Sequence, residues 1–134
     1  MIMRSPSTSP RTGGTVADRS LFDPAPIEAI RELADKAEAD AIVGGYFRNT
    51  RQQIERVEAH AAAADLDALA RQIHAIIGTS STFGFRGIER HGRRIEQAIE
   101  NGDRTRAITL ARDLRTAAEA SWAQFHRRYG QPGT

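Results

Sequence analysis

Helical periodicity runs through nearly all of the chain after residue 21. Apolar side chains recur there at intervals of three and four residues, which is the spacing of one face of an amphipathic α-helix. No segment alternates polar and apolar residues with a period of two, and no hairpin signal separates two segments rich in β-forming residues. The pattern therefore predicts an all-α protein.

The pattern divides into about five predicted helices, four of them long. The first helix takes Asp23 as its N-cap, directs Leu33 inward and continues to residue 39. A second helix fills the interval up to Asp65 or Asp67, either of which can cap the third helix. These three helices account for the first half of the predicted fold.

Two further helices complete the pattern. A fourth follows the FGF segment at residues 83–85, and Gly102 with Asp103 supplies a stop and then a new N-cap. The fifth helix is predicted to run without a break over residues 104–129. Short connections between long amphipathic helices favour antiparallel neighbours, so we predict an up-and-down four-helix bundle with an additional short N-terminal helix.

The bundle is predicted to span residues 22–129. Residues 1–21 are rich in Ser, Thr, Pro, Gly and Arg and lack apolar periodicity, so they are predicted to form a disordered tail and not a signal peptide. Residues 130–134 are predicted to form a short C-terminal tail. Because the chain carries no kinase or receiver sequence, a free-standing module is expected.

The segment QIHAIIGTSSTFGF, residues 72–85, places a histidine beside the apolar stripe of the third helix. A helix turns by roughly 100° per residue, so His74 lies at or beyond the edge of the stripe that contains Ile73. Gly78 follows one turn later on the same side, where a glycine costs about 1 kcal/mol relative to alanine. An imidazole beside such a gap fits a surface that another protein approaches.

Spacing alone leaves other interpretations open. A single histidine near an apolar stripe is more often a structural or surface residue than a reactive one. Gly78 could equally allow two helices to pack closely, for example against Gly92. A second histidine, His91 on the fourth predicted helix, is interpreted as a surface or bundle-packing residue.

Composition narrows the range of functions. The formal net charge is only +2 and three arginines lie in the N-terminal tail, so the bundle is nearly neutral, which argues against nucleic-acid binding. No segment approaches the roughly 20 apolar residues of a membrane span. The chain has no cysteine, which excludes disulfides and thiolate chemistry. The four histidines show no metal-ligand spacing and no nucleotide-binding motif is present, so neither a cofactor nor an ATP site is expected.

The segment HAIIGTSSTFG and a carboxylate 22 positions after its histidine together resemble histidine phosphotransfer (HPt) domains of bacterial phosphorelays. In that family a phosphorylatable histidine precedes a lysine at +3, a glycine at +4, small residues at +5 to +7 and a glycine at +10. The matching residues in this chain are His74, Gly78, Thr79, Ser80, Ser81, Gly84 and Glu96. The resemblance extends over about residues 22–128.

The resemblance implies a carrier that accepts a phosphoryl group on His74 from a receiver domain's aspartyl phosphate and returns it to another receiver. Glu96 is expected to orient the imidazole through its second ring nitrogen. Gly78 and Ser81 are expected at the surface where the receiver docks. Mg²⁺ is expected only on the receiver partner, and no metal or cofactor on this chain.

One residue departs from the family pattern. Ile77 stands where the family has its lysine. The resemblance implies that this lysine is a local counter-charge for the phosphoryl group. The replacement cation is expected to be Arg71, one turn before the histidine, or Arg93 or Arg90 on the next helix, since arginine binds phosphate well. Ile77 itself is expected to be exposed and to extend an apolar docking patch that Arg86, Arg90 and Arg93 surround.

The expected partners are receiver domains of response regulators and a hybrid or chemotaxis-type histidine kinase. The protein is expected to be cytoplasmic and monomeric. The isoleucine at position 77 keeps a second function open, in which a degenerate HPt-like module binds a receiver or kinase without being phosphorylated. A helical-bundle scaffold unrelated to signalling is the third hypothesis.

Overall fold

A computed structural model describes residues 21–130, which form six α-helices and no β-strand. The helices are α1 (Ala25–Leu33), α2 (Lys36–Ala62), α3 (Leu66–Phe83), α4 (Arg86–Glu100), α5 (Arg104–Arg112) and α6 (Leu114–Tyr129). The predicted all-α class is confirmed. Of the two predicted tails, residues 1–20 and 131–134 lie outside the described part of the chain.

Three long helices and a two-part fourth element build the bundle. Helix α3 packs against α2 on one side and α4 on the other, and α4 also packs against α5 and α6. The connections at 63–65, 84–85 and 101–103 are short, so consecutive elements run antiparallel. Helix α1 lies against α2 and α3. The predicted four-helix bundle with a short N-terminal helix is therefore confirmed.

The first helix is shorter than the apolar pattern predicts. It ends at Leu33, and Asp35 then starts α2 with a capping box, accepting the Glu38 N–H at 2.8 Å and donating its own N–H to the Glu38 carboxylate at 3.3 Å. The predicted inward position of Leu33 is wrong, since this residue is 90% exposed. Two reciprocal hydrogen bonds at a new N-terminus outweigh the continuing periodicity.

The last predicted helix is interrupted at Asp113. The Asp113 N–H donates to the carbonyls of both Thr109 (3.3 Å) and Leu110 (3.1 Å), so the helix tightens for one turn before α6 begins. The predicted unbroken helix over residues 104–129 is therefore wrong. The core stripe continues across the break, because Leu110 and Leu114 are both buried.

The turn between α3 and α4 is anchored in the core. Gly84 has φ +88°, and a Cβ added there would lie 2.1 Å from the Asp23 carbonyl oxygen. Asp23 in turn donates its N–H to the Gly84 carbonyl at 2.8 Å. The next residue, Phe85, is fully buried and stacks on Tyr46 with ring centroids 4.8 Å apart. This turn fixes the register of α3 against α4, and hence the site described below.

An ion pair outside that site joins α2 to α6. Arg115 donates to both carboxylate oxygens of Glu58, at 2.8 and 2.9 Å, and this hydrogen bonding lowers the pKa of Glu58. Because both side chains are about 40% exposed, we expect the pair to contribute only about 0.5–1 kcal/mol at neutral pH.

We predict that Glu58→Gln lowers the free energy of unfolding by about that amount at pH 7. A carboxyl group with a lowered pKa stabilises the fold above its unfolded-state pKa and loses this contribution as the pH falls through its folded-state pKa. The difference between wild type and variant should therefore vanish at pH 2–3. Urea unfolding at both pH values measures it, and an equal difference at both would contradict the assignment.

Candidate functional site

The middle of α3 presents a histidine to solvent. Helix α3 begins at Leu66, after the N-cap Asp65, whose side chain accepts the Ala68 N–H at 3.1 Å. The helix buries Leu69, Ile73, Ile76, Ile77 and Ser80 against the bundle. His74 follows directly after a core residue, so the turn of the helix directs it away from the core. Its side chain is 84% exposed.

One ring nitrogen of His74 has a carboxylate partner. The Nδ1 atom lies 3.3 Å from Oε2 of Glu96, which α4 supplies from 22 positions further along the chain. The Glu96 side chain is only 26% exposed, so it sits at the seam between the two helices. The Nε2 atom has no hydrogen-bond partner among residues 21–130. A histidine with Nδ1–H donated to a carboxylate exposes the unprotonated Nε2 as a nucleophile.

The surface next to the imidazole is open at Gly78. A Cβ added there would meet no heavy atom within 4 Å, so close packing of two helices does not explain this glycine. Side chains on a helix lean toward its N-terminus, so a side chain at position 78 would extend over His74 one turn earlier. The glycine therefore leaves the approach to the ring unobstructed.

Ile77 is not a surface residue. It is only 4% exposed, and its side chain fills the space over Gly92 of α4. The prediction that Ile77 extends an apolar docking patch is wrong, because its position on α3 turns it into the seam with α4. The glycine that permits close helix packing is thus Gly92, and not Gly78.

We predict that Gly92→Ala destabilises the fold by about 1–3 kcal/mol, because the added Cβ would lie 2.6 Å from Cγ1 of Ile77. Ile77→Ala removes that atom, so the double variant should be more stable than the sum of the two single losses implies. Urea unfolding of the four proteins measures this coupling. Gly45→Ala is the control, since its Cβ would meet only the Arg48 side chain at 3.9 Å. Strictly additive losses would contradict the contact.

Positive and negative side chains alternate along α4 between Glu96 and the N-terminus of the helix. Arg93 donates to Glu89 at 3.2 Å, and Arg86 donates to Glu89 at 3.4 Å and to Asp23 at 3.2 Å. The pKa of Asp23 is lowered, chiefly because its carboxylate accepts the Ala25 N–H and to a smaller extent because of its ion pair with Arg86. Arg86 therefore connects α4 to the segment before α1 as well as standing at the predicted docking surface.

The other predicted site residues lie on α3 and α4. Arg71 is exposed and forms no ion pair with any residue in the range 21–130. Arg90 is exposed on α4, and Ser81 is partly buried one turn beyond Gly78. Among the predicted site residues, Glu96 has a hydrogen bond to the imidazole within residues 21–130.

Sequence analysis missed two parts of this region. Glu89 is the acceptor that holds both Arg86 and Arg93. It lies three residues after Arg86 and four before Arg93, and this spacing is the signal that could have revealed it. Beneath α3, the buried Tyr46 hydroxyl bonds Ser80 at 2.9 Å, and burial raises the pKa of Tyr46. A polar residue on the core stripe of α3 was the available signal for that hydrogen bond.

His91 has a structural role. It is 9% exposed, and its Nε2 lies 2.7 Å from the Leu110 carbonyl of α5. This contact ties α4 to α5 inside the bundle. The interpretation of His91 as a packing residue agrees with this position, and it leaves His74 as the exposed histidine at the α3–α4 seam.

Residues 21–130 contain neither a metal-ligand cluster nor a membrane-spanning helix. No three or more His, Cys, Asp or Glu side chains in this range are grouped so that they could hold a metal ion. None of its helices combines the length and the apolar character needed to cross a bilayer.

The fold and the site together define a class of protein, an all-α bundle that displays one histidine in mid-helix with a carboxylate from the next helix behind it. The family model described as Hpt domain matches residues 41–124, from the first turns of α2 into α6. This match covers more than half of the chain, so the protein belongs to the histidine phosphotransfer (Hpt) domain family. Neither the curated proteins nor the solved structures gave a significant match.

Family membership fixes the general function. Hpt domains take part in histidine phosphotransfer within phosphorelays, as phosphocarrier modules and not as enzymes that use ATP. They typically interact with response regulators and histidine kinases.

Proposed function

We propose that this protein carries a phosphoryl group between receiver domains of response regulators, in an Asp–His–Asp relay that passes through His74. One observation supports this most strongly. In a chain of the Hpt family, His74 has Nδ1 at 3.3 Å from the Glu96 carboxylate, and its side chain is 84% exposed.

The transfer step needs nothing from this chain beyond the imidazole and its support. The lone pair of Nε2 attacks the phosphorus of the receiver's aspartyl phosphate, and an N–P bond forms. The P–O bond to the aspartate breaks, and the carboxylate oxygen leaves with the bonding electron pair. The ring keeps its Nδ1 proton and becomes cationic. The reverse reaction, on a second receiver, restores the neutral imidazole and a new aspartyl phosphate.

Glu96 supports both ends of this reaction. Before transfer, its carboxylate accepts the Nδ1–H, which selects the tautomer whose Nε2 carries the lone pair. After transfer, the same carboxylate lies beside the positive charge on the ring, where a charge-assisted hydrogen bond is stronger than a neutral one. Because the Glu96 side chain is only 26% exposed and already contacts Nδ1, it is placed to orient the ring.

The receiver is expected to dock over the α3–α4 seam. The open surface at Gly78 gives it access to His74, Ser81 lies further along the same helix, and Arg86 and Arg90 supply positive charge that suits a receiver's acidic pocket. Mg²⁺ would belong to the receiver, so no cofactor on this chain is required. We expect a monomer that works in the cytoplasm, where a hybrid or chemotaxis-type kinase supplies the phosphoryl group.

A second function deserves a test because of Ile77. With isoleucine in place of the family's lysine, the protein could bind a receiver or kinase without being phosphorylated, as a degenerate docking module. A scaffold unrelated to signalling is disfavoured, since the chain belongs to the Hpt family. The two remaining functions differ in one observable, which is phosphate on the histidine.

The test is to incubate the full chain with a panel of radiolabelled, phosphorylated receiver domains. A carrier should acquire label that is stable in alkali and labile in acid, which is the behaviour of phosphohistidine, and should pass it to a second receiver. Receiver binding without any label on the chain would select the docking module and overturn the proposed relay function.

A further inference from the structure

The site lacks a cation at the position where the family supplies one. A phosphoryl group brings close to two negative charges at neutral pH, and these need a counter-charge. Position 77 cannot present a charge beside His74, because its side chain is buried in the α3–α4 seam against Gly92. If the proposed function holds, the counter-charge must come from another position.

The row of charges on α4 offers that position. Arg86, Glu89, Arg93 and Glu96 are separated by three, four and three residues, so they share one stripe of the helix. Glu96, at one end of the stripe, contacts Nδ1 of His74 at 3.3 Å, so the stripe faces the same surface as the histidine. Arg93 is the cation nearest to Glu96 on this stripe, one turn away.

Arg93 is held loosely in its present position. Its side chain is 60% exposed and donates one hydrogen bond to Glu89, which is 16% exposed, at 3.2 Å. Solvent screens the exposed arginine end of such a pair. If Arg93 turns away, Glu89 retains Arg86 at 3.4 Å and is not left unpaired. The guanidinium can therefore leave Glu89 for a stronger anion at little cost.

Arg71 is the competing cation, and its place along α3 argues against it. It precedes His74 by one turn, on the side opposite to position 77, where the family has its lysine. Arg93, in contrast, directly follows Gly92, which packs against Ile77, so it lies beside the lysine position. Arg71 is similarly exposed, which makes it the matched control for Arg93.

We infer that Arg93 is the counter-charge of this site, held by Glu89 while His74 is unmodified and released to bind the phosphoryl group once the N–P bond has formed. This inference rests on the proposed function. A planar guanidinium can donate two parallel hydrogen bonds to phosphoryl oxygens, so arginine is a suitable substitute for the family's lysine. In this chain α4 would therefore supply the cation that α3 supplies in the family pattern.

Four single variants test the inference in the full chain, each mixed with a labelled receiver until the label is at equilibrium. Arg93→Gln should lower the fraction of label on His74 by about three- to tenfold, the loss of one charge-assisted contact. Arg71→Gln should change it by less than about twofold. Glu89→Gln should raise it by up to about threefold, because Arg93 is no longer engaged elsewhere. Arg93→Lys should retain much of the wild-type value.

The opposite signs at Arg93 and Glu89 separate a counter-charge from a merely structural ion pair. If both variants lose label equally, the pair only supports α4 and the inference fails. It also fails if Arg93→Gln has no effect or if Arg71→Gln has the same effect. Thermal unfolding checks that every variant is folded. Wild-type protein that takes no label from any receiver would overturn the proposed function itself, which is a distinct result.

Discussion

His74→Gln is expected to abolish the acid-labile phosphate that the protein accepts from a phosphorylated receiver. Glutamine keeps a polar side chain of similar length but has no nitrogen lone pair that can attack phosphorus, so transfer has no alternative route through this site. The side chain is 84% exposed, so the free energy of unfolding should change by no more than about 0.5 kcal/mol. Transfer of radiolabel, followed by gel separation, measures the loss.

His60→Gln is the matched control for that experiment. His60 lies in the last turn of α2, away from the contact between His74 and Glu96, and its replacement should leave labelling at the wild-type level. Label that persists in His74→Gln and disappears in another histidine variant would move the phosphorylation site and contradict the assignment.

Gly78→Leu is expected to slow transfer by at least about tenfold while leaving the fold intact or more stable. The leucine side chain would lean over His74 and obstruct the in-line approach of the receiver's phosphoryl group, and small displacements of reacting atoms cost about two orders of magnitude in rate. Replacing a glycine inside a helix should also stabilise the protein by up to about 1 kcal/mol, since nothing lies within 4 Å of the added Cβ. Rapid-quench transfer kinetics and urea unfolding measure the two effects separately.

Ala120→Leu supplies the control for added bulk. Ala120 is exposed on α6, whereas His74 and Glu96 lie on α3 and α4, so the same side chain there should leave the transfer rate unchanged. Gly78→Ala should fall between wild type and Gly78→Leu. If Gly78→Leu transfers at the wild-type rate, the glycine does not provide clearance for a receiver.

The sequence pattern predicted the elements well where caps and core stripes agree. Asp65 and Asp103 accept backbone N–H groups where α3 and α5 begin, and Gly102 adopts the left-handed conformation expected of a helix stop. The sequence failed where a local hydrogen bond competes with periodicity. The capping box at Asp35 and the tightened turn at Asp113 both divide segments whose apolar spacing continues.

The candidate site was predictable in part. The contact between His74 and Glu96 came from the resemblance to the family, because no local pattern relates residues 22 positions apart on separate helices. The burial of Ile77 was not predicted, since it depends on the small size of Gly92 on the facing helix. Because Ile77 is buried against Gly92, position 77 supplies no counter-charge to His74, and we propose that Arg93 does.

The most direct measurement of the central claim is the position of the phosphoryl group on the ring. The full chain, labelled with ¹⁵N at histidine, would be phosphorylated by a receiver and examined by nitrogen–proton and phosphorus NMR. We predict one phosphohistidine, at Nε2 of His74, with the Nδ1 proton retained beside Glu96. Phosphate on Nδ1, on another histidine, or on none after exposure to a receiver that binds the protein would contradict the account.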